Sequence, residues 1–170
     1  MEKEYTCCFF GHRKTDITDE LISHMQKIIE DLITEKKVDT FLFGSKSEFN
    51  DLCLKVVTGV KKKYPHIKRI YVRAEFPYID ESYTEYLLKN YDYTYYPEHI
   101  KNSKKAAYVE RNYEMIDKSN FCIVWFNENY KPERRKSRKD LFDYQPKSGT
   151  KIAYDYAIKK KKFIFNLFEN

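Results

Sequence analysis

The sequence predicts an α/β protein, a Rossmann-like, doubly wound, mostly parallel sheet of about five strands with helices on both faces. Three observations predict it. Short, nearly continuous apolar runs over residues 5–10 and 39–43 each stop at a glycine, Gly11 or Gly44. Strands buried on both faces read this way, because neither side of the pleat meets water. Each run is followed by a segment whose apolar residues recur at spacings of three and four, one stripe of a helix. Strand and helix patterns alternate five times, and that order with right-handed crossovers gives a parallel sheet between two helix layers.

In the first strand, 5–10, the adjacent Cys7 and Cys8 point to opposite faces. Asp16 or Thr18 can cap the first helix, because a side-chain oxygen accepts a hydrogen bond from a free first-turn N–H. Leu21, Met25, Ile28, Ile29, Leu32 and Ile33 form its apolar stripe. The second strand, 39–43, ends at Gly44-Ser45. A helix over 48–63 follows, with Phe49, Leu52, Cys53, Val56, Val57 and Val60 inward, and Pro65 stops it. Residues 67–72 make a third strand ending at Arg73. A short helix over 81–90 and an alternating strand over 91–96 come next. Ala106, Val109, Tyr113 and Ile116 mark the inner stripe of a helix ending near Ser119. Residues 121–126 are the most apolar strand of the chain. The polar stretch 127–147 then precedes a Ser148-Gly149-Thr150 turn, and a connection of that length inside a domain is usually functional or mobile. A helix over 151–158, capped by Ser148 or Thr150, and an apolar strand over 163–167 close the chain.

With 170 residues, 42% of them hydrophobic and 17% aromatic, the chain can bury a proper core and is not a disordered acid- or base-rich tail. No apolar run approaches the ~20 residues that cross a bilayer, and the start Met1-Glu2-Lys3-Glu4 lacks a signal-peptide pattern. A cytoplasmic location without membrane attachment is the expectation. Cys7, Cys8, Cys53 and Cys122 form no C-x-x-C pair, so buried free thiols are expected rather than a zinc site or a disulfide framework. The net charge of +6 is clustered at 61–63, 134–139 and 159–162. Clusters of this kind attract nucleic acid, although solvated helix ends and loops carry them more often.

In open α/β sheets, ligands bind beyond the carboxyl ends of the strands. That edge holds Gly11, His12 and Arg13; Gly44 and Ser45; Arg73; and Ser148, Gly149 and Thr150 at the start of the last helix. Glycine admits a ligand close to the backbone, arginine grips phosphate bidentately, and helix N-termini favour anions. Arg111-Asn112 lies on the helix before the 121–126 strand, where it can face the same crevice. No His-Glu-x-x-His pattern, Gly-x-Ser-x-Gly elbow or aspartate-rich metal loop is present. No catalytic set, metal or cofactor is therefore expected.

Three stretches in this order resemble the SLOG superfamily, and within it the YpsA-like group of bacterial Rossmann-like proteins. They are Cys8-Phe9-Phe10-Gly11-His12-Arg13; Arg111-Asn112-Tyr113-Glu114-Met115 with Asp117 and Ser119 before a strand; and Ser148-Gly149-Thr150-Lys151-Ile152-Ala153 with Tyr156-Ala157. The superfamily includes the LOG phosphoribohydrolases, the DNA-processing protein DprA and sensor domains for nucleotide-derived signals. The resemblance implies one nucleotide-ligand-binding domain over 1–170, with Arg111 matching an arginine of the LOG pattern. LOG enzymes carry Pro-Gly-Gly-x-Gly-Thr-x-x-Glu, whose glutamate is catalytic, whereas Ala153 stands at that position here. A phosphate grip without a general acid or base implies a binder of a nucleotide-derived small molecule. A LOG-like N-glycosidase using Glu114 or Glu75 is one alternative. Single-stranded nucleic-acid binding in the manner of DprA, with Arg134 to Lys139 on the backbone and tyrosines stacking the bases, is another. The aromatic surplus is compatible with a homo-oligomeric interface.

Overall fold

The computed structural model describes residues 5–102, 104–132 and 148–168. The apolar run after Glu4 forms β1 (Tyr5–Gly11), and five helix–strand units follow it: α1 (Asp19–Glu35), β2 (Val38–Phe43), α2 (Glu48–Lys61), β3 (Lys68–Val72), α3 (Glu81–Leu88), β4 (Tyr93–Tyr95), α4 (Lys105–Lys118), β5 (Phe121–Trp125), α5 (Gly149–Lys159) and β6 (Phe163–Asn166). The strands form one sheet in the order β4-β3-β2-β1-β5-β6, and all neighbours are parallel. The sheet thus has six strands where about five are predicted. Its edge strands β4 and β6 have three and four residues, are only partly buried, and fall within the predicted stretches 91–96 and 163–167.

Period-two alternation sorts the strand side chains into two cores. Cys7, Phe9, Phe41, Phe43 and Ile123 pack with α1 and α2, while Cys8, Phe10, Leu42, Val72, Cys122 and Val124 pack with α4 and α5. Phe9 stacks between Phe41 and Phe43, with centroids 6.0 and 4.9 Å away, and each such buried ring contributes roughly 1.5–3 kcal/mol. All four cysteines are buried and free. Cys8 and Cys122 are register partners on β1 and β5, with sulfurs 3.6 Å apart.

The helix starts follow the side-chain logic of their sequences. Thr18, Ser47, Asp80 and Ser148 each accept a hydrogen bond from the N–H three residues on, capping α1, α2, α3 and α5. On α4 the inner stripe differs from the expected one. Ala107, Arg111, Met115 and Ile116 face inward, whereas Ala106 is exposed and Val109 and Tyr113 are half-buried. A charged residue occupies a core position of this helix, so a purely apolar periodicity points to the wrong face. No helix among the described residues is long and apolar enough to cross a membrane.

Strand order turns at β1: β2, β3 and β4 are added on one side, β5 and β6 on the other. The carboxyl ends of β1 and β5 therefore border the crevice where doubly wound sheets bind ligands. Gly11 pairs with Trp125 there.

Candidate functional site

At the β1 end, Gly11 is required by packing. A Cβ there would stand 2.7 Å from the Phe49 ring. His12 is 3% exposed and is fixed to the β5 end. Its N–H donates to the Trp125 carbonyl at 3.3 Å, and its Nε2 accepts from the Asn127 N–H at 3.0 Å. Its ring lies 4.2 Å from that of Tyr130. Burial lowers the imidazole pKa below its ordinary value. His12 joins the two halves of the sheet with the nitrogen expected to meet a ligand. Arg13 is exposed, while its carbonyl accepts from the Glu48 N–H and the Glu48 carboxylate accepts from the Thr15 N–H at 2.9 Å.

At the β2 end the Gly44 N–H donates to Asn50 Oδ1 at 3.4 Å, and Ser45 Oγ lies 3.1 Å from the Ser47 hydroxyl. The Gly44 carbonyl accepts from Arg111 Nη1. Here the glycine serves its neighbour: a Cβ would stand 2.5 Å from Arg111 Cδ and 2.7 Å from Met115 Sδ. With that space clear, the Arg111 guanidinium lies over the strand end and Tyr108, its carbon 5.5 Å from the ring centre. Asn112 Oδ1 accepts from Arg111 Nε at 3.0 Å and holds its orientation. Arg111 is 5% exposed, and burial pulls its pKa down to about 10. No carboxylate among the described residues reaches it within ion-pair distance; Glu75 acts on it from farther away while accepting a hydrogen bond from the Tyr108 hydroxyl.

At the β3 end Arg73 is also buried. Its Nε donates to the Phe76 carbonyl at 3.2 Å and its Nη1 to Thr94 Oγ1 at 3.1 Å, with no carboxylate partner among the described residues. Burial lowers its pKa as well. Tyr71, on β3, interacts electrostatically with both arginines. Two desolvated cations without paired anions make this edge a place where a phosphate would recover lost charge stabilisation.

At α5, Ser148 Oγ accepts from the Lys151 N–H at 3.0 Å, so Ser148 rather than the buried Thr150 is the cap. A Cβ on Gly149 would meet nothing within 4 Å. The space over this helix start is open to a ligand. Ala153, at the glutamate position of the LOG pattern, is buried in the core beneath it.

Contacts thus unite Gly44, Arg111 and Asn112 at the end of β2, while Arg73, at the end of β3, is bonded to Phe76 and Thr94 instead. Gly11, His12, Arg13, Ser45, Ser148, Gly149 and Thr150 lie on the same carboxyl edge by topology, His12 turned into a structural bond. Tyr71 and Tyr108 belong to the site but carry no sequence signal in a chain with 16 tyrosines. Glu114 lies elsewhere, held by Lys118 at 3.2 Å and the Tyr95 hydroxyl at 3.4 Å. Of the basic stretch 131–139, residues 133–139 fall outside the described residues, as do Pro146 and Lys147. Two grooves occur beside α4, lined by Pro97, His99 and Glu114 among others, and neither includes Arg111, Arg73 or Gly44. Glu110, Glu114 and Asp117 line the first and disfavour an anion there, while the second holds Glu98 and Glu114 with Lys118.

No protein-family model matches the chain, and no curated protein matches it. Among solved structures it is similar to DNA processing protein A from Helicobacter pylori, described for its single-stranded DNA binding mode. That likeness has 15% identity and a TM-score of 0.55 over 95% of this chain. This chain spans 64% of the length of that protein. A weaker likeness, 13% identity and TM-score 0.48, links 96% of this chain with 75% of the Moco carrier protein of Chlamydomonas rheinhardtii. The first establishes the Rossmann-like fold.

Proposed function

We propose that this chain is a SLOG-superfamily protein of the YpsA-like group. On this reading residues 1–170 form one domain that binds a nucleotide-derived small molecule without cleaving it. The observation that carries the reading is Arg111, a buried guanidinium over Gly44 with no paired carboxylate among the described residues. Evolving proteins rarely keep such a charge for stability, because an apolar residue in its place costs less desolvation. A ligand phosphate accounts for it. Arg73, Arg13 and the open helix start at Gly149 would take further oxygens of the same ligand. Ala153 supports binding over hydrolysis, since it places no proton-transfer group where LOG enzymes have one.

The test is a thermal-shift screen against mononucleotides, cyclic and linear dinucleotides, NAD and ADP-ribose, with product analysis of every hit. A ligand at one hundred times its Kd stabilises by about 2.7 kcal/mol. The expected outcome is an intact hit whose shift disappears in Arg111→Ala. Release of free base, lost in Glu75→Gln, would replace the reading by glycoside cleavage, with the carboxylate near Arg111 as its acid or base.

The likeness to DNA processing protein A and the charge of +6 favour a second reading, single-stranded nucleic-acid binding. It predicts oligonucleotide affinity that falls steeply with salt, with a log–log slope of about −0.7 per phosphate contacted. Tight oligonucleotide binding without any mononucleotide hit would establish it over the first.

A further inference from the structure

The loop after β3 holds an arrangement that anion binding alone does not explain. Phe76 adopts φ of 59°, the left-handed region, which a bulky aromatic residue rarely enters. This conformation leaves its ring 55% exposed. Arg73, one of the two buried arginines, holds the loop there through its hydrogen bond to the Phe76 carbonyl. The Phe76 ring meets Tyr83 edge-on at 6.0 Å and 73°, and Tyr83 in turn stacks on Tyr86 at 6.0 Å and 20°. The aromatic surface is therefore supported from one side and open on another. Glu75, the preceding residue, is bonded to Tyr108, on whose ring Arg111 lies. The aromatic loop is thus tied to both buried cations, to Arg73 through the Phe76 carbonyl and to Arg111 through Glu75 and Tyr108.

We propose that the face of the Phe76 ring, buttressed edge-on by Tyr83, is a base-stacking shelf beside the buried Arg73 and Arg111, so that the ligand is a nucleobase-bearing phosphate rather than a sugar phosphate or a simple anion. This rests on the small-molecule reading above and deepens it. The chemistry agrees with the geometry. A nucleobase presents a flat π-face to a ring at contact distance, and its phosphate supplies the negative charge that the arginines lack. The cost of the Phe76 backbone is then offset when the ring is covered.

Titration calorimetry with AMP, GMP, CMP, UMP and ADP-ribose, against ribose 5-phosphate as the base-free probe, tests it. One stacked base changes affinity by about tenfold or more, so the best nucleotide should outbind ribose 5-phosphate by at least that factor. Phe76→Ala should remove about tenfold of the nucleotide affinity and leave ribose 5-phosphate unchanged, while Phe76→Tyr should retain it. Tyr86→Ala, at the far end of the aromatic row, should leave both unchanged. Equal binding of nucleotides and ribose 5-phosphate would overturn the shelf and leave the anion site standing. Equal losses of both probes in Phe76→Ala would do the same, showing that the loop merely supports Arg73. No binding of any probe would sink shelf and anion site together.

Discussion

Replacing Arg111 by methionine separates the two contributions of a buried charge. The change frees the fold from a desolvated guanidinium but leaves the Gly44 carbonyl without its donor, which costs about 1–3 kcal/mol. These effects oppose each other, so denaturant melts should show a net change within about 1 kcal/mol while the ligand-induced shift vanishes. A loss far above that would mark Arg111 as a structural group. Gly44→Ala acts on the same contact from below: its Cβ would collide with Arg111 and Met115 at 2.5 and 2.7 Å. Overpacking of this kind costs about 1–3 kcal/mol and should also lower ligand affinity, both readable from melts with and without ligand. Gly149→Ala should behave in the opposite way. The position has room and no positive φ, so the fold should gain about 0.4–1 kcal/mol while any ligand approaching the backbone binds more weakly. At this scale the sequence marks Arg111 and the glycines, yet not their reasons. Gly11 serves Phe49, Gly44 serves Arg111, and Gly149, like Gly59 on α2, faces open space.

The helices were legible where capping and apolar stripes agree. Thr18 with Leu21, Met25, Ile29, Leu32 and Ile33 places α1 correctly, because each inward position is filled by an apolar residue. The same reasoning fails on α4, where Arg111 sits between Ala107 and Met115 at the i, i+4 spacing and breaks the stripe. The turns hold signals that apolar patterns do not reach. Lys37, just after α1, and Lys161, just after α5, have φ of 61° and 57°, the left-handed conformation that ends many helices. Lys37→Gly should raise the urea midpoint, with a gain of up to about 1 kcal/mol, because glycine enters this region without the Cβ penalty. The loop joining β1 to α1 adds a pH dependence through His12. Its folded pKa is depressed by burial, so the unfolded chain takes up the proton first as pH falls. The stability it contributes is present above the ordinary value of 6.5 and is lost as pH drops below it. Urea midpoints at pH 7.5 and 5.5 should therefore differ more in the native protein than in His12→Gln.

For the whole molecule, the alternation of strands and helices was enough to reach the fold, and the carboxyl-edge rule named the edge on which the candidate residues lie. The pairing of particular residues across that edge was not, since Tyr71, Glu75, Tyr108 and Arg111 come from β3, its following loop and α4, up to 40 positions apart in sequence. Only the crossover from β4 back to β5 brings them together. Salt provides a measurement at this scale. Small-molecule affinity held by two or three buried contacts should change little between 50 and 200 mM salt, because desolvated pairs are weakly screened. A steep fall would point instead to an extended backbone lying on the exposed lysines.

The strand order also bears on how the protein is made. β1 emerges first from the ribosome, yet one of its edges pairs only with β5, more than a hundred residues later. Until residues 121–125 have been synthesised and docked, the apolar edge Cys7-Cys8-Phe9-Phe10 has no neighbour on that side. At a synthesis rate of about 5–20 residues per second the exposure lasts on the order of several seconds to tens of seconds. A nascent chain stalled near residue 120 would present β1 as an open, hydrophobic strand at the edge of a half-built sheet, a ready template for pairing with another such chain. A fragment ending at Asn120 should therefore accumulate in inclusion bodies, and supplying residues 121–170 as a separate chain should return part of it to the supernatant. The last fifty residues would then act as an intramolecular chaperone for the first ten.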